Sequence, residues 1–268
     1  MNNFIAIAGL GWLGLPLAQR LLMLGYRVKG SVSSLEKAAK LQQSDFEAYR
    51  ILLSETAVQG EVKALLANTK ILVIMIPPGL RRNSGSDYVL KMVHLLEAIQ
   101  KFEVKKVLFV SSTSVYSDAQ GQVFEKNLPQ PDTEAGKQLL QVEQLYFNAS
   151  FIDTTVVRFG GLIGGSRQPV RYLSGREDLS NGEAPVNLIH RNDCLAILSE
   201  IIKQDAFGHI FNAVHPNHPS KRDYYTAKAK EMKLDPPSYN DGPYASAFKR
   251  VDSSSLESVL GFTFKEAL

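Results

Sequence analysis

The stretch from Phe4 to Val32, FIAIAGLGWLGLPLAQRLLMLGYRVKGSV, restricts the fold more than any other part of this chain. Phe4 to Ala8 is an apolar run that reads as a strand buried on both faces. Gly9, Gly11 and Gly14 follow in G-x-G-x-x-G spacing, with Trp12 and Leu13 inside the turn. Leu13, Leu17, Leu21 and Leu24, flanked by Ala18 and Leu22, then recur at the spacing of one helical face. Gly25 stands where a helix C-terminus calls for a left-handed residue, and Tyr26 to Val32 resumes as a second strand.

This is the order of a strand, a tight turn and a helix whose first turn faces a diphosphate. Gly9 permits the turn, Gly11 lets the backbone approach a pyrophosphate, and Gly14 lets the helix pack on the strand. Unspent N–H groups and the dipole at the helix start supply the anion site. Glycines at this spacing also arise by chance, in turns that merely pack closely. Here the strand before, the helix after and the second strand beyond meet the context the motif requires, so a dinucleotide site is predicted.

An NAD site usually places Asp or Glu about 20 residues past the glycines, on the ribose hydroxyls. Here the second strand ends in Lys29, Gly30, Ser31, Val32, Ser33 and Ser34, with Lys37 close behind and no acid before Glu36. Hydroxyls and a lysine suit a 2′-phosphate, so NADP is favoured over NAD. Ser33 also reads as a cap for a helix beginning at Leu35, with Glu36 supporting its first turn.

The chain has 268 residues, 44% of them hydrophobic, enough for one large α/β domain with or without a smaller lobe. Its apolar runs fall short of the ~18 residues a membrane span needs. The first strand leaves no room for a signal peptide. Cys194 is the only cysteine, which excludes an internal disulfide and suggests no metal cluster; a cytoplasmic setting fits. A net charge of +3, dispersed along the chain, does not argue for nucleic acid.

Further strands are expected at Ala48–Leu53, at Ile71–Ile76, at Lys106–Val110, at Thr154–Phe159 and at His209–Val214. Helices are expected at 35–43, 61–67, 86–102, 134–148, 195–202 and 222–232. Ile76 ends its strand and Pro77, Pro78 and Gly79 break it, forming a candidate wall of the cofactor cleft, with Arg81 and Arg82 within reach of a phosphate. The strand at Lys106–Val110 ends in Ser111, Ser112, Thr113 and Ser114, followed by Val115 and Tyr116. Four successive hydroxyls suit a place that holds a substrate hydroxyl or carbonyl, although turns and caps also use them.

The glycine turn, SSTSVYS, VVRFGGLIG and APVNLIHRNDC together resemble the extended short-chain dehydrogenase/reductase family, which includes nucleotide-sugar epimerases and dehydratases. The resemblance covers nearly the whole chain. NLIHRND, similar to that family's N-x-I-H-x-x-D segment, is more specific than the glycines, whose spacing departs from the usual G-x-x-G-x-x-G. The resemblance implies a doubly wound parallel α/β sheet with a small C-terminal substrate lobe. It puts the Rossmann core at 1–165 and the lobe mainly at 166–268, with 186–214 returning to the core. It also implies that Ser112 stands at the catalytic serine or threonine position, with Ser114 near the same substrate hydroxyl.

The family's next feature is Tyr-x-x-x-Lys, where the tyrosinate moves the hydroxyl proton. The lysine, one helical turn on, lowers the tyrosine pKa and grips the nicotinamide ribose. The corresponding residues here are Thr133 and Lys137. A threonine hydroxyl does not ionise near neutrality and cannot replace the tyrosine. Another group (Tyr116, Tyr172 or His190) could take the proton, the chemistry could differ, or the protein could bind cofactor without catalysis. By the same resemblance Ser111, Phe159, Gly160 and Leu162 line the nicotinamide side. The apolar face of the helix at 134–148 belongs to the core or to a homodimer interface.

On the substrate side stand Tyr116, Arg81, Arg167, Asn187, His190 and Arg250; Arg171 and Arg176 could add positive charge. In NLIHRND the histidine and aspartate are expected to be structural more often than catalytic. Asp193 reads as a helix cap and Cys194 as a small buried residue. His215 and His218 lie in a proline-rich loop rather than in a metal site. The expected function is an NAD(P)-dependent oxidoreductase or epimerase/dehydratase-like protein. Its substrate would carry a hydroxyl or keto group, plausibly on a nucleotide-linked sugar. A cofactor-binding sensor or partner-binding protein is the alternative.

Overall fold

The structure, a computed structural model, describes residues 4–79, 87–240 and 248–268. In chain order its elements begin β1 (Phe4–Ala8), α1 (Gly14–Met23), β2 (Val28–Val32), α2 (Leu35–Gln42), β3 (Ala48–Leu53), β4 (Val58–Gly60), α3 (Val62–Leu66) and β5 (Thr69–Ile74). They continue with α4 (Tyr88–Lys101), β6 (Lys106–Ser112), β7 (Gln122–Val123), α5 (Glu134–Phe147), β8 (Asp153–Phe159), β9 (Gly161–Ile163) and α6 (Val170–Leu173). The chain closes with β10 (Leu188–His190), α7 (Arg191–Lys203), β11 (Ile210–Ala213), α8 (Lys221–Glu231), β12 (Arg250–Val251) and α9 (Ser254–Leu260).

Eight strands form one sheet in the order β11-β8-β6-β5-β1-β2-β3-β4. β3, β2, β1, β5 and β6 run parallel, and β4 pairs antiparallel with β3 at one edge. The strand order reverses between β1 and β5, as in the doubly wound α/β fold. β1 and β2 are buried along their whole length, the signature of a sheet covered on both faces.

The residues divide into two compact units. The first takes in Met1–Val115, Pro131–Arg158 and Leu195–Phe211; the second takes in Tyr116–Gln130, Phe159–Cys194 and Asn212–Leu268. In the first, Leu17, Ala18 and Leu21 of α1 are fully buried and Leu13 is buried, as the leucine spacing predicts, but Leu22 and Leu24 are exposed, because α1 ends at Met23 and its last turn leaves the core. α1 ends in a Schellman motif: the Gly25 N–H donates to the Leu22 carbonyl and the Tyr26 N–H to the Leu21 carbonyl, at 2.9 and 3.0 Å. Tyr26 thus completes the helix cap, and β2 starts at Val28 rather than at Tyr26.

The second unit has its own apolar cluster of Ile163, Val186, Leu188 and Tyr224. Two short parallel pairs, β9 with β10 and β7 with β12, frame it. Asn187 holds β12 as a neighbouring strand would: Nδ2 donates to the Lys249 carbonyl at 2.9 Å and Oδ1 accepts from Val251 N at 2.9 Å. Asp193 does not cap a helix ahead of Leu195. α7 already begins at Arg191, and the buried Asp193 carboxylate accepts from the Lys265 and Glu266 backbone N–H groups at 3.1 and 3.3 Å.

Candidate cofactor and catalytic site

Within the first unit, a cleft of about 420 Å³ opens at the carboxyl ends of β1, β2, β3 and β5. Gly9, Leu10 and Gly11 form one side. Gly9 has φ +109°, a value side-chain-bearing residues rarely adopt. A Cβ on Gly14 would lie 2.1 Å from the Gly9 carbonyl oxygen, so only glycine lets α1 start this close to the turn. A Cβ on Gly11 would meet nothing within 4 Å, since that residue faces open space. The three glycines therefore divide their work as the motif requires, and the residues fit a diphosphate. The start of α1 carries no acidic side chain and no side-chain cap; in its first turn the Leu15 N–H donates to the Gly11 carbonyl at 3.2 Å and Pro16 has no N–H.

The far wall carries Ser31, Ser33, Ser34 and Lys37, with Ile51 to Leu53 at the end of β3. Leu10 is fixed between β2 and α2: its N–H donates to the Ser31 carbonyl at 2.8 Å, and its carbonyl accepts from Lys37 Nζ at 2.7 Å. A Cβ on Gly30 would run into the Leu10 side chain at 2.7 Å, so that glycine makes room for the turn. Ser33 is exposed and does not cap α2. Ser34 does, its Oγ accepting from Lys37 N at 3.2 Å, which leaves the Ser33 hydroxyl to the cleft. Met75 to Gly79, Tyr88 and Lys91 close the remaining side. Arg81 and Arg82 lie outside the described residues.

Of the expected cofactor residues, Trp12, Leu13 and Gly14 do not line this cleft; Leu13 and Gly14 are buried. Phe159, Gly160 and Leu162 belong to the second unit, where the Gly161 N–H donates to the Asn187 carbonyl at 2.7 Å. Sequence reasoning missed Ile51 to Leu53 and Tyr88. The first group was within reach, because β3 neighbours β2 and its end must lie beside the same cleft. Tyr88 carried no signal of its own.

The hydroxyl-rich end of β6 also lies in the first unit. Ser111 Oγ donates to Glu143 Oε1 at 2.5 Å, and the same carboxylate receives Arg158 through Nε at 3.0 and 3.1 Å and Nη2 at 2.6 Å. The Glu143 and Arg158 side chains are each 3% exposed. Ser111 is thereby committed to a buried ion pair. Ser112, half-buried, accepts from Ser114 N at 3.1 Å.

α5 begins against this turn because Gly136 allows it: a Cβ there would lie 2.3 Å from the Ser114 carbonyl oxygen. Thr133 caps α5, its Oγ accepting from Gly136 N at 3.1 Å. Lys137 follows, exposed, on the first turn. Ser112 and Ser114, both half-buried, and the exposed Thr133 and Lys137 are thus the groups here with surface to offer.

In the second unit, Tyr116 is fully buried. Its hydroxyl donates to Asn212 Oδ1 at 3.1 Å and lies 3.3 Å from the Phe124 carbonyl, so its surroundings are those of a core residue. Tyr172 is 75% exposed. His190 packs on Gly164, where a Cβ would approach Nε2 to 2.3 Å, and its Nδ1 accepts from Asn192 N at 3.3 Å. Arg167 lies on the exposed turn after β9. Arg250 borders a separate pocket of the second unit with His215 and His218. His218 Nδ1 bonds the Val186 carbonyl at 2.9 Å, and burial holds its imidazole below the ordinary pKa of 6.5. Among the described residues, no group of three or more His, Cys, Asp or Glu side chains could hold a metal ion. No described helix is long and apolar enough to cross a membrane.

A sequence model for a family described as NAD(P)H-binding matches residues 9–205, the glycine turn included. The chain belongs to that family. Protein YeeZ of Escherichia coli (strain K12) is 31% identical over 263 residues, which cover 97% of this chain and 95% of that protein. Among solved structures, UDP-glucuronic acid 4-epimerase from Bacillus cereus, in complex with UDP-glucuronic acid and NAD, superposes with a TM-score of 0.80. It is 20% identical, over 98% of this chain and 95% of that one. MoeE5, in complex with UDP-glucuronic acid and NAD, gives 0.77 at 20% identity, over 99% and 95% of the two chains. These neighbours share the fold of the NAD-dependent epimerase/dehydratase and short-chain dehydrogenase/reductase proteins. The expected NAD(P)-binding family character and the doubly wound α/β class both hold.

Proposed function

We propose that this chain is an NADP-preferring oxidoreductase or epimerase/dehydratase-like enzyme acting on a hydroxyl or keto group. The observation that carries it is the cleft of the first unit. Open space above Gly11 meets a helix N-terminus that has neither a side-chain cap nor a first-turn acid, and the place of an NAD-type acid is taken by Ser33 and Lys37. The glycine turn would hold the pyrophosphate. Lys37 spends one donor on Leu10 and keeps two for a 2′-phosphate. Lys137 would hold the nicotinamide ribose, and Ser112 the reacting oxygen of the substrate. When bound, the dinucleotide supplies hydride transfer. The solved neighbours bound to UDP-sugars support a nucleotide-linked sugar as substrate, with its choice assigned to the second unit. The buried single cysteine suits a cytoplasmic setting.

The test is thermal unfolding with NADPH and with NADH over a concentration series. At 100 times its dissociation constant a cofactor adds about 2.7 kcal/mol, a rise of several degrees. A larger rise with NADPH is expected, and Lys37→Ala should erase the difference. Equal rises would refute the roles of Ser33 and Lys37. Once a substrate is in hand, Ser112→Ala with full turnover would refute the role of Ser112.

A second reading is a cofactor-binding sensor without chemistry. It is favoured by Thr133, whose hydroxyl caps a helix where the family keeps its proton-transfer tyrosine, and by the burial of Tyr116. A sensor should bind NADPH and NADP⁺ with different affinities and change its assembly on binding. Equal affinities with no change of assembly would remove this reading.

A further inference from the structure

We propose that Tyr88 and Gln138 are positioning residues that register the head of α5, with Thr133 and Lys137, against the Ile76–Pro78 wall of the cofactor cleft. The proposal rests on the reading of that cleft as the NADP site. Tyr88 is 1% exposed and opens α4. Its hydroxyl donates to the Ile76 carbonyl at 2.7 Å. Its own N–H, one of those at a helix start without an intrahelical acceptor, donates to Gln138 Oε1 at 2.9 Å. Gln138 Nε2 in turn donates to Glu134 Oε1 at 2.8 Å, in the first turn of α5. Three hydrogen bonds therefore join a carbonyl on the cofactor wall to the residues flanking Lys137.

The wall needs an outside anchor. Ile76 lies past the end of β5, and Pro77 and Pro78 have no N–H with which to fix the turn. Burial raises the Tyr88 phenol far above its ordinary pKa, so it stays a donor. Simple helix packing does not require this link. α4 and α5 are already fastened at a buried point by Tyr146, whose hydroxyl donates to the Met92 carbonyl at 2.8 Å.

The experiment compares wild type with Y88F, Q138A, the double variant and Y146F. It measures NADPH affinity by titration, and hydrogen exchange at residues 133–138 with and without NADPH. In wild type, NADPH should slow exchange at the head of α5. Y88F and Q138A should each weaken NADPH roughly 3- to 10-fold and abolish that slowing. The double variant should be no weaker than the worse single. Y146F should lower the melting temperature while keeping affinity and protection. Protection that persists in Y88F or Q138A, losses that multiply in the double variant, or an equal loss of affinity in Y146F would each overturn the relay alone. A wild type that binds neither NADPH nor NADH would overturn the cofactor reading and the relay with it.

Discussion

The turns after β1 and after β6 leave one sheet at the same end and treat their polar groups in opposite ways. After β1, the backbone does the work and bonds within itself: the Gly11 N–H donates to the Gly9 carbonyl, Gly11 faces open space and the start of α1 has no side-chain cap. After β6, the side chains carry the polar groups and most are already committed. Ser111 serves Glu143, Ser112 accepts from Ser114 N, and Thr133 caps α5. Four consecutive hydroxyls are therefore not four free reagents. The glycine turn leaves room for a ligand by doing without side chains, whereas a hydroxyl cluster first satisfies its own turn.

The contrast breaks most sharply at the ion pair beneath β6. Arg158→Met should cost about 3–5 kcal/mol by chemical denaturation, because Glu143 is left as an unpaired buried charge. Adding Glu143→Leu should recover much of that loss, and a single-variant cost under about 1 kcal/mol would deny the pair its role. Ser111→Ala removes a hydrogen bond to a buried carboxylate and should cost about 1.5–3 kcal/mol, against about 0.5–1.5 kcal/mol for Ser112→Ala. Similar costs for the two would mean that Ser112 is as structural as its neighbour.

On the β1 side, Gly14→Ala should destabilise by about 1–3 kcal/mol, since its Cβ meets the Gly9 carbonyl oxygen. Gly11→Ala should leave stability within about 0.5 kcal/mol and yet weaken NADPH, a split that titration and melting together would reveal.

The smallest effect belongs to His218. Its folded pKa lies below the unfolded value, so the unfolded chain takes up the proton first as pH falls. Its contribution is present above about pH 6.5 and lost below it. Wild type should lose melting temperature more steeply than His218→Gln between about pH 7 and about pH 5; parallel curves would remove the effect.

The long elements were legible in the sequence because burial and period leave a mark. The leucines of α1 and the apolar runs of β1 and β5 are examples. The pairs β7–β12 and β9–β10 were not, since strands of two or three residues carry no period. Ser33 and Ser34 are equally good caps on paper, and only the bond from Lys37 N separates them. Asp193 has the residue type of a cap, but its carboxylate is taken by backbone more than 70 positions away, at Lys265 and Glu266. In the cleft, the glycines and serines were readable as a motif. Tyr88 was not, because its phenol serves a carbonyl that any sequence would have supplied.

The division of the chain also bears on how the protein is made. The first unit is assembled from three separate segments and the second from three others, so neither is formed by one uninterrupted stretch of chain. During synthesis at about 5–20 residues per second, the early strands wait several seconds before Leu195–Phe211 completes their unit. Until then the edge that β8 and β11 will occupy stands uncovered, a template for wrong pairing that chaperones would have to shield. Expression of a shortened chain ending near residue 160, just after β8, should yield aggregate rather than a minimal cofactor-binding domain.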